Sequence, residues 1–218
     1  MPTGTIPDLR PELTQMPERI ARLPRFRGYP VPYFVGWVNG EPEFRVADAR
    51  KWEDAVGNKR CWVCGNRLGS YLAFVLGPMC IINMTTSEPP SHLDCALWSV
   101  KNCPFLVRPH MVRRDGDLEG AEPPPGNPLE RNPGASAIWM TRHYNLFDDG
   151  TGRALIRVGP LEAEHVYWFF EGRLATRAEV AASVDSGLPL LAAVDSRPEA
   201  QEELARRHQK LIALYPDV

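Results

Sequence analysis

Two cysteines separated by two residues, Cys61-Trp62-Val63-Cys64, precede a glycine, and a second pair of metal-ligating types follows as His92-Leu93-Asp94-Cys95. This pattern constrains the chain more than any other. All five cysteines (Cys61, Cys64, Cys80, Cys95 and Cys103) fall in one short window. An odd number without a recognisable secretory leader argues against a disulfide framework and for metal. A C-x2-C pair followed by Gly65 forms a tight knuckle whose amides turn toward the thiolates. Ser91 is a candidate N-cap, with Asp94 at its third position. Leu93, Ala96, Leu97 and Val100 recur at helical spacing, so His92 and Cys95 share the first turn of a helix, with Leu93 and Leu97 toward the core. Cys61, Cys64, His92 and Cys95 make a tetrahedral Cys3His set of the kind that suits Zn²⁺. Cys80, among Met79, Ile81 and Ile82, reads as a buried thiol in a strand. Cys103 stands eight residues beyond Cys95 and is expected to pack in the core, with a role as replacement ligand if His92 is not used.

Between the two pairs, SYLAFVLGPMCIIN reads as a hairpin turning at Gly77-Pro78. Knuckle, hairpin, helix is the order of parts in treble-clef zinc fingers, and this region resembles them over about a fifth of the chain. The resemblance implies a structural zinc on the four residues named. It does not choose among nucleic-acid binding, protein binding and nuclease activity. The wider text, with CxxCG and a later HxDCA, also resembles an uncharacterised family of bacterial and phage-borne proteins to which no activity is attached.

The composition is that of an ordinary globular protein, 44% hydrophobic and 24% charged. No apolar run is long enough to cross a bilayer, and the expected location is the cytoplasm. With 22 prolines, the chain is predicted to be rich in loops and short elements. The fold class expected is α+β: a treble-clef-like zinc unit with hairpins over residues 1–112, a Pro/Gly-rich linker or mobile loop over 113–135, and a small antiparallel sheet with two helices over 136–218. In the first unit, a short helix is predicted around Pro17–Leu23. A hairpin turns at Asn39-Gly40, and an Asp48-capped helix ends at Gly57-Asn58. In the last unit, residues 136–142, 153–158 and 165–170 are strand candidates. A capping box at Thr176 opens a helix that Gly187 and Pro189 close, and a second box at Ser196 opens another.

Catalytic signatures are few. The deaminase order of H-x-E before P-C-x-x-C is reversed here, and no glutamate accompanies His92. H-E-x-x-H, P-loop, dinucleotide and nucleophile-elbow motifs are missing from the text. Glu162, Glu164 and His165 could form an acid–base group at a strand entry, and Asp148 and Asp149 read as a turn with Gly150. The formal charge of −2 argues against a dedicated DNA-coating protein. Basic residues nonetheless cluster at Arg22, Arg25 and Arg27, interleaved with aromatics, and at Arg108, Arg113 and Arg114. The expected role is a zinc-binding interaction module for protein or nucleic acid. The alternative is a nuclease-like enzyme whose active groups lie outside the four ligands.

Overall fold

Leu72–Leu76 and Ser136–Thr141 are nearly continuous apolar runs, buried along almost their whole length, as strands covered on both faces must be. They pair with each other. In the computed structural model, which describes residues 15–108, 132, 134–148, 150, 152, 154–163 and 166–217, they lie side by side in a four-stranded antiparallel sheet. Numbered in chain order, the strands are β1 (Arg25–Phe26), β2 (Tyr29–Pro30), β3 (Val35–Val38), β4 (Glu41–Ala47), β5 (Leu72–Leu76), β6 (Thr85–Thr86), β7 (Ser136–Thr141), β8 (Tyr144–Asp148), β9 (Ala154–Val158), β10 (Tyr167–Phe170) and β11 (Arg173–Leu174). The helices are α1 (Glu18–Ala21), α2 (Ala49–Gly57), α3 (Pro78–Asn83), α4 (Leu93–Asn102), α5 (Arg177–Ala192) and α6 (Pro198–Ile212). The described residues thus form a mixed α/β fold with small antiparallel sheets. Most of the segment 113–135 lies outside the described residues.

The main sheet has the order β11-β10-β7-β5, with Leu72 opposite Thr141 and Trp168 opposite Ala137. Side chains alternate between its faces. Ala73, Ile138 and Phe169 pack with Ala96, Leu97 and Val100 of α4. Leu72, Phe74, Leu76, Trp139 and Trp168 join a larger core with Ile82 of α3, Val180 and Val184 of α5, and Leu211 of α6. That core also holds Ile20 of α1 and three of the cysteines, Cys61, Cys64 and Cys95. A second sheet, β6-β9-β8, contributes Ile156 and Val158 to it. The buried indoles have partners: Trp168 Nε1 donates to the Leu214 carbonyl at 2.8 Å, and Trp139 Nε1 to that of Gly159 at 3.0 Å.

Several local expectations hold. Asp48 caps α2, accepting from the amides of Arg50 and Lys51. Asn39 and Gly40, at φ +51° and +83°, make the two-residue turn between β3 and β4. The Thr176–Glu179 capping box opens α5 with both of its bonds present.

Others are corrected. Gly77-Pro78 does not turn a hairpin: Pro78 occupies the first turn of α3, where its fixed φ and missing N–H cost nothing. Cys80 is therefore helical, packed against the main core, and burial pushes its thiol up to about 11. Gly187 and Pro189 do not end α5, which runs on to Ala192. Gly187 lies against Met79, where a Cβ would come within 3.0 Å of Cγ and Sδ, so the glycine permits a close crossing of α5 over α3. Leu188 and Leu191 pack on the core and hold the helix together across the proline. Arg197, not Ser196, occupies the cap position of α6, ahead of Pro198.

Candidate metal centre

The first ligand pair sits on a knuckle between α2 and β5. Its base is closed by an antiparallel bridge between Arg60 and Arg67. The Cys61 amide donates to the Asn66 carbonyl and the Gly65 amide to that of Cys61, both at 2.8 Å. Gly65 adopts φ +74°, a conformation costly for residues with a Cβ, and it lies directly against the ring of Tyr33. Two further bonds fix the knuckle to its surroundings: Trp62 N–H to Pro90 O at 3.0 Å, and Tyr33 N–H to Val63 O at 2.7 Å. Trp62 also stacks on Phe34, with ring centroids 5.1 Å apart.

The second pair is placed by the edge of the main sheet. Ser91 bridges to Ala73 of β5 through two backbone bonds, of 3.0 and 2.8 Å. The chain then turns directly into α4. Ser91 is consequently buried in sheet pairing and does not cap the helix. His92 holds the cap position without a side-chain capping bond, because its ring is turned to the cysteines. Cys95 lies in the first turn, near the helix end whose partial positive charge favours thiolate. Leu97 is buried as expected, but Leu93 is exposed: the face that carries Ala96, Leu97 and Val100 is taken by the sheet, and Leu93 falls outside it.

The ligand atoms of Cys61, Cys64, His92 and Cys95 all lie within 4.8 Å of one another and could hold a metal ion. Cys64 Sγ is 3.5 Å from His92 Nδ1. Two amides point at one sulfur: Cys64 N–H is 3.4 Å and His92 N–H 3.5 Å from Cys61 Sγ. On the far side of the imidazole, Nε2 lies 3.0 Å from the Arg67 carbonyl. A carbonyl only accepts, so Nε2 carries a hydrogen, which leaves Nδ1 as the nitrogen that would ligate a metal once deprotonated. This outer contact was not legible in the sequence, since it comes from the backbone of a residue with no ligand chemistry of its own.

The electrostatics of the cluster are compatible with a bound cation. Burial works against the Cys61 thiolate, yet hydrogen bonds from Cys64, Cys95 and His92 draw its pKa far below the ordinary thiol range. Cys95 is driven strongly the other way by its hydrogen bonds to Cys61 and Cys64 and by burial. Desolvation opposes a charged His92, but its bonds to Cys61 and Cys64 outweigh this and push it up to about 10. Cys61 and Cys95 are thus driven in opposite directions within one buried site. A dication bound there would favour deprotonated thiols and a neutral, ligating His92.

The spacing of the ligand atoms is consistent with a zinc site. Bond lengths of about 2.3 Å to sulfur and 2.0–2.1 Å to nitrogen give tetrahedral edges of about 3.6–3.8 Å. The Cys64–His92 separation matches that edge, and the widest separation in the cluster exceeds it by about 1 Å. Cys61 and Cys95 are fully buried and Cys64 nearly so, while His92 sits at the rim.

The remaining candidates lie elsewhere. Cys80 and Cys103 take no part in the cluster, and Cys103 ends α4 with its thiol pushed up by burial. Asp148 accepts from the amides of Gly150 and Gly152 at 2.7 and 3.0 Å, forming the turn expected of it. Glu162 stands 3.8 Å from both Arg142 and His143. Glu164, His165, Asp149, Arg113 and Arg114 lie outside the described residues. Arg22, Arg25, Arg27 and Arg108 are exposed. No described helix is long and apolar enough to cross a membrane.

No family model, curated protein or solved structure matches the chain. The functional reading therefore rests on the site itself.

Proposed function

We propose that the chain carries one structural Zn²⁺ on Cys61, Cys64, His92 and Cys95 and serves as a binding module for a protein or nucleic-acid partner. The observation that carries this reading is the convergence of four ligand atoms from two separate segments, with the far nitrogen of the histidine already engaged by a carbonyl. Four protein ligands complete a tetrahedral shell and leave no position for a substrate or an activated water, which favours a structural role over a catalytic one. A knuckle followed by the first turn of a helix is the treble-clef way of presenting such ligands. The likeness is confined to those two ligand-bearing ends, because the intervening strand β5 pairs with β7 and α3 takes the place of a second hairpin strand. Reduced, metal-bound thiols suit a cytoplasmic protein.

Elemental analysis of the purified full chain and two variants tests the reading. One zinc per chain is expected. Cys95→Ser loses it, since a hydroxyl is a poor replacement for a thiolate ligand, whereas Cys80→Ser retains it. Wild-type protein without metal, or a Cys95→Ser variant with full zinc content, contradicts the proposal.

A further inference from the structure

Residues 18–30 are far more basic than the chain they belong to. They contain Arg19, Arg22, Arg25 and Arg27 against a single carboxylate, Glu18, in a protein of formal charge −2. The fold gives this segment a definite shape. Helix α1 is anchored by the fully buried Ile20. After Pro24 the chain forms the β1–β2 hairpin, in which Phe26 lies opposite Tyr29. Arg27 and Gly28, at φ +50° and +84°, form its two-residue turn. Arg27 therefore stands at the tip, its guanidinium 5.0 Å from the centre of the Phe26 ring. Tyr29 is 54% exposed.

Helix α1 also forms one wall of a recess of about 730 Å³, lined by Glu18, Arg19, Arg22, Asn66, Arg67, His92 and Asp94. The recess joins the basic segment directly to the candidate metal centre. Its arginines are only loosely committed. Arg22 pairs with Glu18 where both side chains are more than 70% exposed, and Arg19 lies 3.4 Å from Asp94. The exposed Arg22–Glu18 pair is worth about 0–1 kcal/mol and exchanges readily for a better anion, whereas the Arg19–Asp94 pair is half-buried. Arg67 contributes its carbonyl to His92, and its guanidinium has no partner among the described residues.

We propose that this recess and the hairpin after α1 bind a single-stranded nucleic acid, the arginines taking the phosphodiester backbone and Tyr29 stacking on a base. The proposal rests on the reading of the chain as a zinc-stabilised binding module and names its partner. Guanidinium forks match phosphate oxygens bidentately, and cationic side chains combined with an exposed aromatic ring, here on the hairpin that follows α1 in the chain, are how proteins hold single strands without reading sequence. Asp94 keeps Arg19 as its partner, and Glu18, released by Arg22, is exposed enough to stay hydrated.

The test is fluorescence anisotropy of the zinc-loaded full chain with a labelled 15-nucleotide single strand of mixed sequence, titrated across salt. Binding is expected to weaken with salt at a log–log slope of about −0.7 per phosphate contact, or about −2 for three arginines. Arg22→Ala and Arg67→Ala each reduce that slope by about 0.7 and weaken binding. Tyr29→Ala weakens it by about 5-fold or more through lost stacking. Arg197→Ala, at the cap of α6, leaves binding unchanged. Zinc content and melting temperature are measured on every variant. Folded, zinc-loaded protein that shows no salt-dependent binding overturns the proposal, as does tighter binding to a duplex or equal competition by polyglutamate. Arginine variants that lose zinc while wild type and variants alike ignore the oligonucleotide would show that the arginines only balance the thiolate charge. Zinc-free wild-type protein, by contrast, defeats the parent reading whatever the oligonucleotide does.

Discussion

Substituting Gly65 by alanine strikes the knuckle without touching a ligand. Two costs follow from the geometry. At φ +74° an alanine meets the left-handed penalty of about 1–2 kcal/mol. Its Cβ would also lie 2.7 Å from Cδ2 and 3.0 Å from Cγ of Tyr33. That ring cannot swing aside freely. The Tyr33 hydroxyl donates to Asp54 Oδ2 at 2.6 Å, and burial together with this bond pushes its pKa up to about 12, so it stays protonated and bonded at neutral pH. Overpacking against a fixed ring costs about 1–3 kcal/mol, for a total of about 2–5 kcal/mol. Urea denaturation of the zinc-loaded protein reads this as a lower midpoint at unchanged slope. Gly69→Ala is the control, since it has neither a positive φ nor a heavy atom within 4 Å of the added carbon. In a Tyr33→Ala background the clash disappears and only the backbone penalty remains, so a double-mutant cycle separates the two parts. A Gly65→Ala variant within about 0.5 kcal/mol of wild type would refute the reasoning. A cost that is the same with and without the Tyr33 ring would refute the steric half of it.

Chelating the metal is expected to lower the melting temperature by at least about 10 °C, because a loss of only a few kcal/mol moves a chain of this size by about 2–4 °C per kcal/mol; an unchanged melting curve sinks the structural role. The Glu179 carboxyl is held at about 2 by Arg173 and the Thr176 amide. Its folded pKa lies below the ordinary 4.5, so its stabilisation is present above that pH and is lost as pH falls through about 2. The urea midpoints of wild type and Glu179→Gln should accordingly converge between pH 5 and pH 2, and a constant gap would contradict the capping assignment.

The candidate site was legible in the sequence because ligand chemistry is written in side-chain type and spacing. Cys61 and Cys64 form a knuckle most easily when Gly65 follows, and Cys95 stands three positions after His92 whether or not Ser91 is the cap. Local signals with a single physical meaning were legible too: Asn39-Gly40, the Asp48 cap and the Thr176 capping box. The sequence was silent where distant partners decide. Met79–Asn83 contains β-branched Ile81 and Ile82 and reads as strand, but β5 finds its partner in β7, some sixty residues on, and leaves those residues free to coil behind Pro78. Strand β8 went unread because Tyr144–Asp148 is a partly exposed edge without clean alternation. Pro189 looks like a helix stop until Leu188 and Leu191 are seen packed on the core. At the site itself, the Arg67 carbonyl and the Tyr33 ring are invisible for the same reason: neither has a signature outside the folded chain.

X-ray absorption at the zinc edge on the purified full chain addresses the central claim directly. Three sulfurs at about 2.3 Å and one nitrogen at about 2.0–2.1 Å are expected around the metal, with the imidazole scattering pattern lost in His92→Ala. A shell of oxygen donors, a four-sulfur shell that recruits Cys80 or Cys103, or a spectrum indifferent to His92→Ala would contradict it.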